Sequence, residues 1–338
     1  MYRKIIEEIK SNLGENKDLN KQYLSSQMEV YKDHQYNKEI LKEISRMMWD
    51  CLSDFEKEEY TQIIENETPI IDILNDISYD IESGKYELAL EKLDEFISNF
   101  KPIFEDDELN EYHFFTNTLE EIIFRRYIGA EKEIRYIPSN QPILDLYYIY
   151  GFLLLEDKQF EKSEKYLKKA IKINPVSSRV ILELTEIYKV HTYDYNKYYM
   201  FVSDALKYAY YPQDIARSYR QLGHYYLEEN QMEIALALFS YSMEYELSPQ
   251  AYNEIHYIQS KTNNLSLNLD ECISLIKSKN IQIGANPFIL DALNELAEEY
   301  EKNKLYNQSL YYYNIIYNLT KDKKINKKIK NITNKINY

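Results

Sequence analysis

The sequence predicts an all-α protein, a solenoid of antiparallel helix hairpins with helical caps at its N- and C-terminal ends. Three observations predict it: evenly spaced prolines, a scarcity of glycine, and a small-residue template that recurs at hairpin spacing. Prolines stand at positions 69, 102, 138, 142, 175, 212, 249 and 287. With 138 and 142 taken as the two ends of one loop, the intervals are 33, 36, 33, 37, 37 and 38 residues. Proline breaks a helix and turns the preceding residue away from helical backbone. Each interval therefore holds two helices of about four turns and a short loop. A chain of 338 residues exceeds the usual reach of one compact core, whereas a repeat stack can lengthen along one axis. Six Gly and eight Pro are too few for the turns of a many-stranded protein. Charged residues at 29% and hydrophobic ones at 44% suit helices with one wet and one dry face. The 36 tyrosines suit half-buried positions, where the ring packs and the hydroxyl stays wet.

Within the intervals one pattern repeats. Gly151 is followed at steps of 9, 12, 16 and 19 residues by Phe160, Ser163, Leu167 and Ala170, and then by Pro175. The same steps from Gly223 reach Met232, Ala235, Phe239 and Ser242; from Ala297 they reach Tyr306, Ser309, Tyr313 and Ile316. From Ile77 they reach Tyr86, Ala89, Leu93 and Phe96. Small residues where two antiparallel helices cross let the axes approach to the lower end of the roughly 8–10 Å range. Gly151 is expected opposite Ser163 and Gly223 opposite Ala235, with Leu154, Leu167, Tyr226 and Phe239 filling the flanking grooves. Gly84 marks the turn inside its hairpin, as a helix-ending glycine does.

Tyr147-x2-Tyr150-Gly151-x2-Leu154 followed by Ala170 and Pro175, and Tyr219-x2-Leu222-Gly223-x2-Tyr226 followed by Ala235-x3-Phe239, resemble tetratricopeptide repeats of the stand-alone bacterial and archaeal type. The resemblance is strong near 144–177, 216–249 and 290–321 and fair at 70–103. It is degenerate at 178–212, where the loop must gain one residue, and at 103–140 and 250–287, which join the array by period and helicity alone. The family's usual tryptophan is replaced by Tyr147, Tyr219, Leu293 or Ile73. The resemblance implies a right-handed superhelix over 67–320, a non-catalytic protein-binding role, and a concave groove lined by the first helix of each hairpin.

Outside the array, residues 1–66 read as a helical cap or module in which Ile40, Ile44, Met47, Met48 and Cys51 step at helical spacing beside Trp49. Residues 321–338 carry seven Lys and one Asp, with Ile325, Ile329, Ile332 and Ile336 on one face, and read as a basic amphipathic capping helix.

Several functions are excluded on residue chemistry. A net charge of −15 disfavours nucleic acid, whose binding runs on clustered Lys and Arg. Cys51 and Cys272 are too few and too far apart for a disulfide framework or thiolate metal site. The N-terminal residues lack a signal-peptide core, and the apolar run Tyr147 to Leu155 is too short to span a bilayer, so a cytoplasmic protein without membrane contact is expected. Singly scattered glycines cannot build a phosphate loop, and His34, His113, His191, His224 and His256 do not pair at metal-ligand spacing. Neither catalytic residues, a metal nor a cofactor are expected. The run Glu105-Asp106-Asp107-Glu108 is expected to open a helix, where its charge complements the dipole.

The expected groove residues are Tyr148 and Phe152, then Arg179 and Glu183, then Arg217, Arg220, Gln221 and His224. Asp291, Asn294, Glu295, Glu298 and Glu301 of the last repeat are expected to make its C-terminal end acidic. Arg217, Arg220 and His224 fall three and four residues apart on one helical face. Arginine holds carboxylates bidentately, so a protein or peptide partner offering an acidic side chain or C-terminal carboxylate is expected there. The Lys and Asn set with which chaperone-binding members hold a C-terminal carboxylate is not seen, and that function is not carried over. The alternative expectation is a peptide- or ligand-switched regulator whose N-terminal helical module is the effector.

Overall fold

The computed structural model describes residues 2–54, 56–57, 69–102 and 104–336. The boundary expected at 66/67, and Tyr338, lie outside them. The described chain is helical except for two four-residue strands, and divides into two compact units, 1–69 and 70–338. No described helix is long and apolar enough to cross a membrane.

In the first unit, helices α1 (Tyr2–Ser11), α2 (Lys17–Tyr31) and α3 (Asn37–Cys51) pack with α3 against both others. Ile6 and Ile9, Leu24, and Ile40, Ile44, Met47 and Cys51 are their buried faces. Trp49 points outward and is half exposed.

The second unit holds the hairpins α4 (Pro69–Glu82) with α5 (Tyr86–Asn99), α7 (Ile143–Glu156) with α8 (Phe160–Ile173), α9 (Ser178–Val190) with α10 (Tyr195–Tyr208), α11 (Pro212–Glu228) with α12 (Met232–Ser242), and α15 (Pro287–Lys302) with α16 (Tyr306–Thr320); α13 (Pro249–Lys261) and α14 (Leu269–Ser278), between the last two, each pack on α12 rather than on each other. In the four hairpins that follow the template, the residue nine after the anchor is the first of the second helix: Tyr86, Phe160, Met232 and Tyr306. The residues at steps 12 and 16, Ala89 and Leu93, Ser163 and Leu167, Ala235 and Phe239, Ser309 and Tyr313, are all 0% exposed. The Ser163 hydroxyl donates to the Gly151 carbonyl at 2.7 Å, and the Ser309 hydroxyl to the Ala297 carbonyl at 2.8 Å. The large residues do more than fill flanking grooves. A methyl on Gly151 would stand 2.7 Å from the Leu167 side chain, and one on Gly223 3.0 Å from the Phe239 ring.

The four hairpin turns share one geometry. Gly84, Lys158, Asn230 and Lys304, each seven residues after its anchor, adopt left-handed backbone with φ of 71°, 62°, 59° and 61°. Their N–H groups donate to the carbonyls of Ile81, Leu155, Leu227 and Glu301, and the next residues donate to Asp80, Leu154, Tyr226 and Tyr300. This is the Schellman pattern, which satisfies the last carbonyls of the first helix. The α9–α10 turn has four residues where these have three, and the α13–α14 turn has seven.

Residues 103–140 do not form the hairpin expected of them. They make a strand β1 (Asn110–His113), a helix α6 (Thr118–Tyr127) and a strand β2 (Glu133–Tyr136), paired in parallel from Asn110 opposite Glu133 to His113 opposite Tyr136. Nor does the acidic run open a helix. The Asp107 carboxylate accepts from the Leu109 and Asn110 N–H groups, and Asp106 accepts from Tyr112 N–H, so the carboxylates build the turn into β1. Helix α5 packs on α7, so this strand–helix–strand segment is looped out between two stacked hairpins.

Stacking continues through α8 on α9, α10 on α11 and α12 on α13 and α14. The last hairpin then leaves the line. The Tyr219 hydroxyl donates to the Gln282 carbonyl at 2.8 Å and accepts from Gly284 N–H at 2.7 Å, while Gln282 and Asn286 amides donate to the Leu206 and Lys207 carbonyls. These bonds carry residues 282–286 back along the end of α10 and set α15 against α6. Tyr127 packs edge-on to Phe288 and its hydroxyl accepts from Asn286; Leu119, Ile123 and Phe124 of α6 share a core with Ile289, Leu293 and Leu296 of α15. Helix α17 (Lys323–Ile336) packs on α16 through buried Ile325 and Ile332.

Candidate binding groove

Helices α7, α9, α11 and α13 together line a cavity of about 840 Å³ in the second unit. Six of the residues expected from the sequence meet there: Phe152, Glu183, Arg217, Arg220, Gln221 and His224. Tyr148 and Arg179 are not on its wall; the Arg179 guanidinium lies 4.9 Å from the Tyr148 ring and pairs with Asp145.

The arginines are already committed to carboxylates of the chain. Arg217 donates to Glu183 at 2.9 Å and lies 3.9 Å from Glu186, and Arg220 donates to Glu246 at 2.8 Å. Arg179–Asp145 and Arg217–Glu183 each join residues 34 apart, so one ion pair recurs between successive first helices. Gln221 extends this wall, donating to the Glu186 carboxylate at 2.6 Å and the Leu182 carbonyl at 3.1 Å while accepting from Thr185 at 2.8 Å. The second terminal nitrogen of Arg220 is buried without an acceptor among the described residues.

His224 stands edge-on to Phe239, with ring centroids 5.0 Å apart. Burial first, then the cations of Lys189 and Arg220, push its pKa down to about 4, so it is neutral near pH 7. Burial pushes the neighbouring Asp214 carboxyl up to about 6 against the pull of Arg217 and Arg179. Glu156 and Glu254 on the same wall make no ion pair among the described residues.

Sequence reasoning missed Glu254 and Gln250 of α13, Phe239, and Lys158 in the α7–α8 turn, all on the cavity wall. It also put the carboxylates of the last repeat in the groove. Because α15 leaves the stack, Glu298 pairs instead with Lys328 at 2.8 Å and Glu301 with Lys335 at 2.9 Å, both from α17. Among the described residues no group of three or more His, Cys, Asp or Glu could hold a metal ion. His113 is buried between the Ile173 carbonyl at 3.0 Å and Glu111 at 3.1 Å, while Glu120 bonds Tyr210 and Asn174. Burial pushes the Cys272 thiol up to about 11, away from the nucleophilic thiolate. Comparison of the sequence with models of known protein families finds no match, and comparison with curated proteins finds none either.

Proposed function

We propose that the chain is a tetratricopeptide-type scaffold of the cytoplasm that acts by binding rather than catalysis, holding a peptide or partner helix in the groove of α7, α9, α11 and α13. The observation that carries this reading is the convergence of four successive first helices on one cavity. A groove of this width suits an extended segment or a helix face, with Phe152, Phe160 and neutral His224 as its apolar contacts and ion-paired walls around them. The paired arginines change the expected ligand chemistry. A partner carboxylate must compete with Glu183 and Glu246 for Arg217 and Arg220, so bidentate capture is weaker than the sequence suggested.

The test is affinity capture of the tagged chain from its native host beside a Glu156→Lys/Glu254→Lys variant, which reverses two groove charges without breaking an ion pair. A partner held by the first and lost by the second supports the reading; a partner held equally by both contradicts it. The regulator reading has one observation in its favour, the separate core of α1 to α3. It requires that a ligand bound by residues 70–338 change what residues 1–69 do.

A further inference from the structure

A second cavity, of about 320 Å³, lies where the segment leading into β1 meets α7 and α8. That volume is at the lower end of the roughly 300–1,000 Å³ of small-molecule sites. Its body is apolar: Phe104 and Tyr112, with ring centroids 5.8 Å apart, face Ile143 and Tyr147. Its charges are of both signs. Lys172 is neutralised by Asp106 at 2.9 Å. Lys169 and Glu105 are not: neither makes an ion pair or hydrogen bond among the described residues. The Lys169 ammonium sits over two rings, 5.1 Å from the centroid of Tyr147 and 4.9 Å from that of Tyr166. The Tyr147 hydroxyl also has no partner among the described residues, although the residue is only 5% exposed. A half-buried cation with no hydrogen-bond acceptor among the described residues is under-satisfied, and burial, then the Lys165 cation, lower its pKa against the pull of Glu105.

We infer that this cavity binds a free α-amino acid with an apolar side chain. The ligand carboxylate meets Lys169 and the Tyr147 hydroxyl, its ammonium meets Glu105, and its side chain fills the space between Phe104, Tyr112 and Ile143. A zwitterion is favoured over a simple acid or amine because the cavity offers one uncommitted charge of each sign beside a pair that is already neutral. The site is independent of the groove, and it would make the strand–helix–strand segment responsive to a metabolite.

The test is isothermal titration calorimetry on the full chain with L-phenylalanine, phenylacetate and phenethylamine. L-Phenylalanine should saturate, and the two single-charge analogues should bind at least about tenfold more weakly, as should L-phenylalanine to Lys169→Met and Glu105→Gln variants. Should Lys169→Met melt early, Lys169→Gln takes its place. The inference is overturned if L-phenylalanine, L-leucine and L-valine all fail to saturate at about 10 mM. It is overturned equally by phenylacetate binding as tightly as L-phenylalanine, or by binding that survives both substitutions.

Discussion

Lys158, Asn230 and Lys304 occupy a backbone region that favours glycine, and only Gly84 of the four equivalent turns has the residue the geometry asks for. A side chain there costs about 1–2 kcal/mol, partly offset by the lower unfolded-state entropy of a residue other than glycine. Lys304→Gly is therefore expected to raise the unfolding free energy by about 0.5–1 kcal/mol in a denaturant titration. No change, or a loss, would contradict the turn geometry. The glycine signal was legible in the sequence at Gly84 and weaker at the other three, because lysine rarely adopts left-handed backbone and asparagine, though more permissive, marks a turn less sharply than glycine. The helix crossing was legible at Gly151 and Gly223, where a missing Cβ leaves a direct mark. His224 makes a second test at this scale. Its folded pKa lies below the ordinary 6.5, so the unfolded chain takes up the proton first and stability falls as pH drops from about 6.5 towards 4. A His224→Gln variant should lack that part of the decline, on the order of 2–3 kcal/mol between pH 7 and 4. Parallel stability profiles for the two proteins would show that His224 titrates normally.

Tyr219 shows how one element redirects another. Its ring is buried in the α11–α12 hairpin, and its hydroxyl bonds both the Gln282 carbonyl and the Gly284 N–H. Tyr219→Phe keeps the ring packing and leaves these two backbone groups unpaired. The expected cost is about 1–3 kcal/mol, with faster amide exchange in residues 279–302 as the local readout. A loss below about 0.5 kcal/mol would mean that the ring alone holds the loop. The looped-out segment 103–140 was illegible because its strands are only four residues long, and while Glu-Ile-Arg-Tyr alternates polar and apolar residues, its partner Asn-Glu-Tyr-His does not. Its proline interval matched the period of the hairpins, so spacing concealed the change of structure. The hairpin at 178–212 was readable once its turn was allowed one more residue, since Leu184, Tyr188 and Ala205 then follow the template and all are buried.

At the scale of the second unit, the stack continues through α14 and then doubles back, so that α6 and α15, far apart in sequence, share a core. Local periodicity carries no information about such a contact. The acidic end assigned to the groove was misplaced for that reason. The groove itself depends on nearest-neighbour stacking of like helices, which is why six of its residues could be read from hairpin spacing alone. Groove binding is tested by hydrogen–deuterium exchange of the full chain with and without its captured partner. Slowed exchange is expected in α9 and α11, at the Glu183–Val190 and Arg217–His224 segments, with residues 2–57 unchanged. Protection confined to residues 2–57, with the groove helices exchanging as in the free protein, would contradict it.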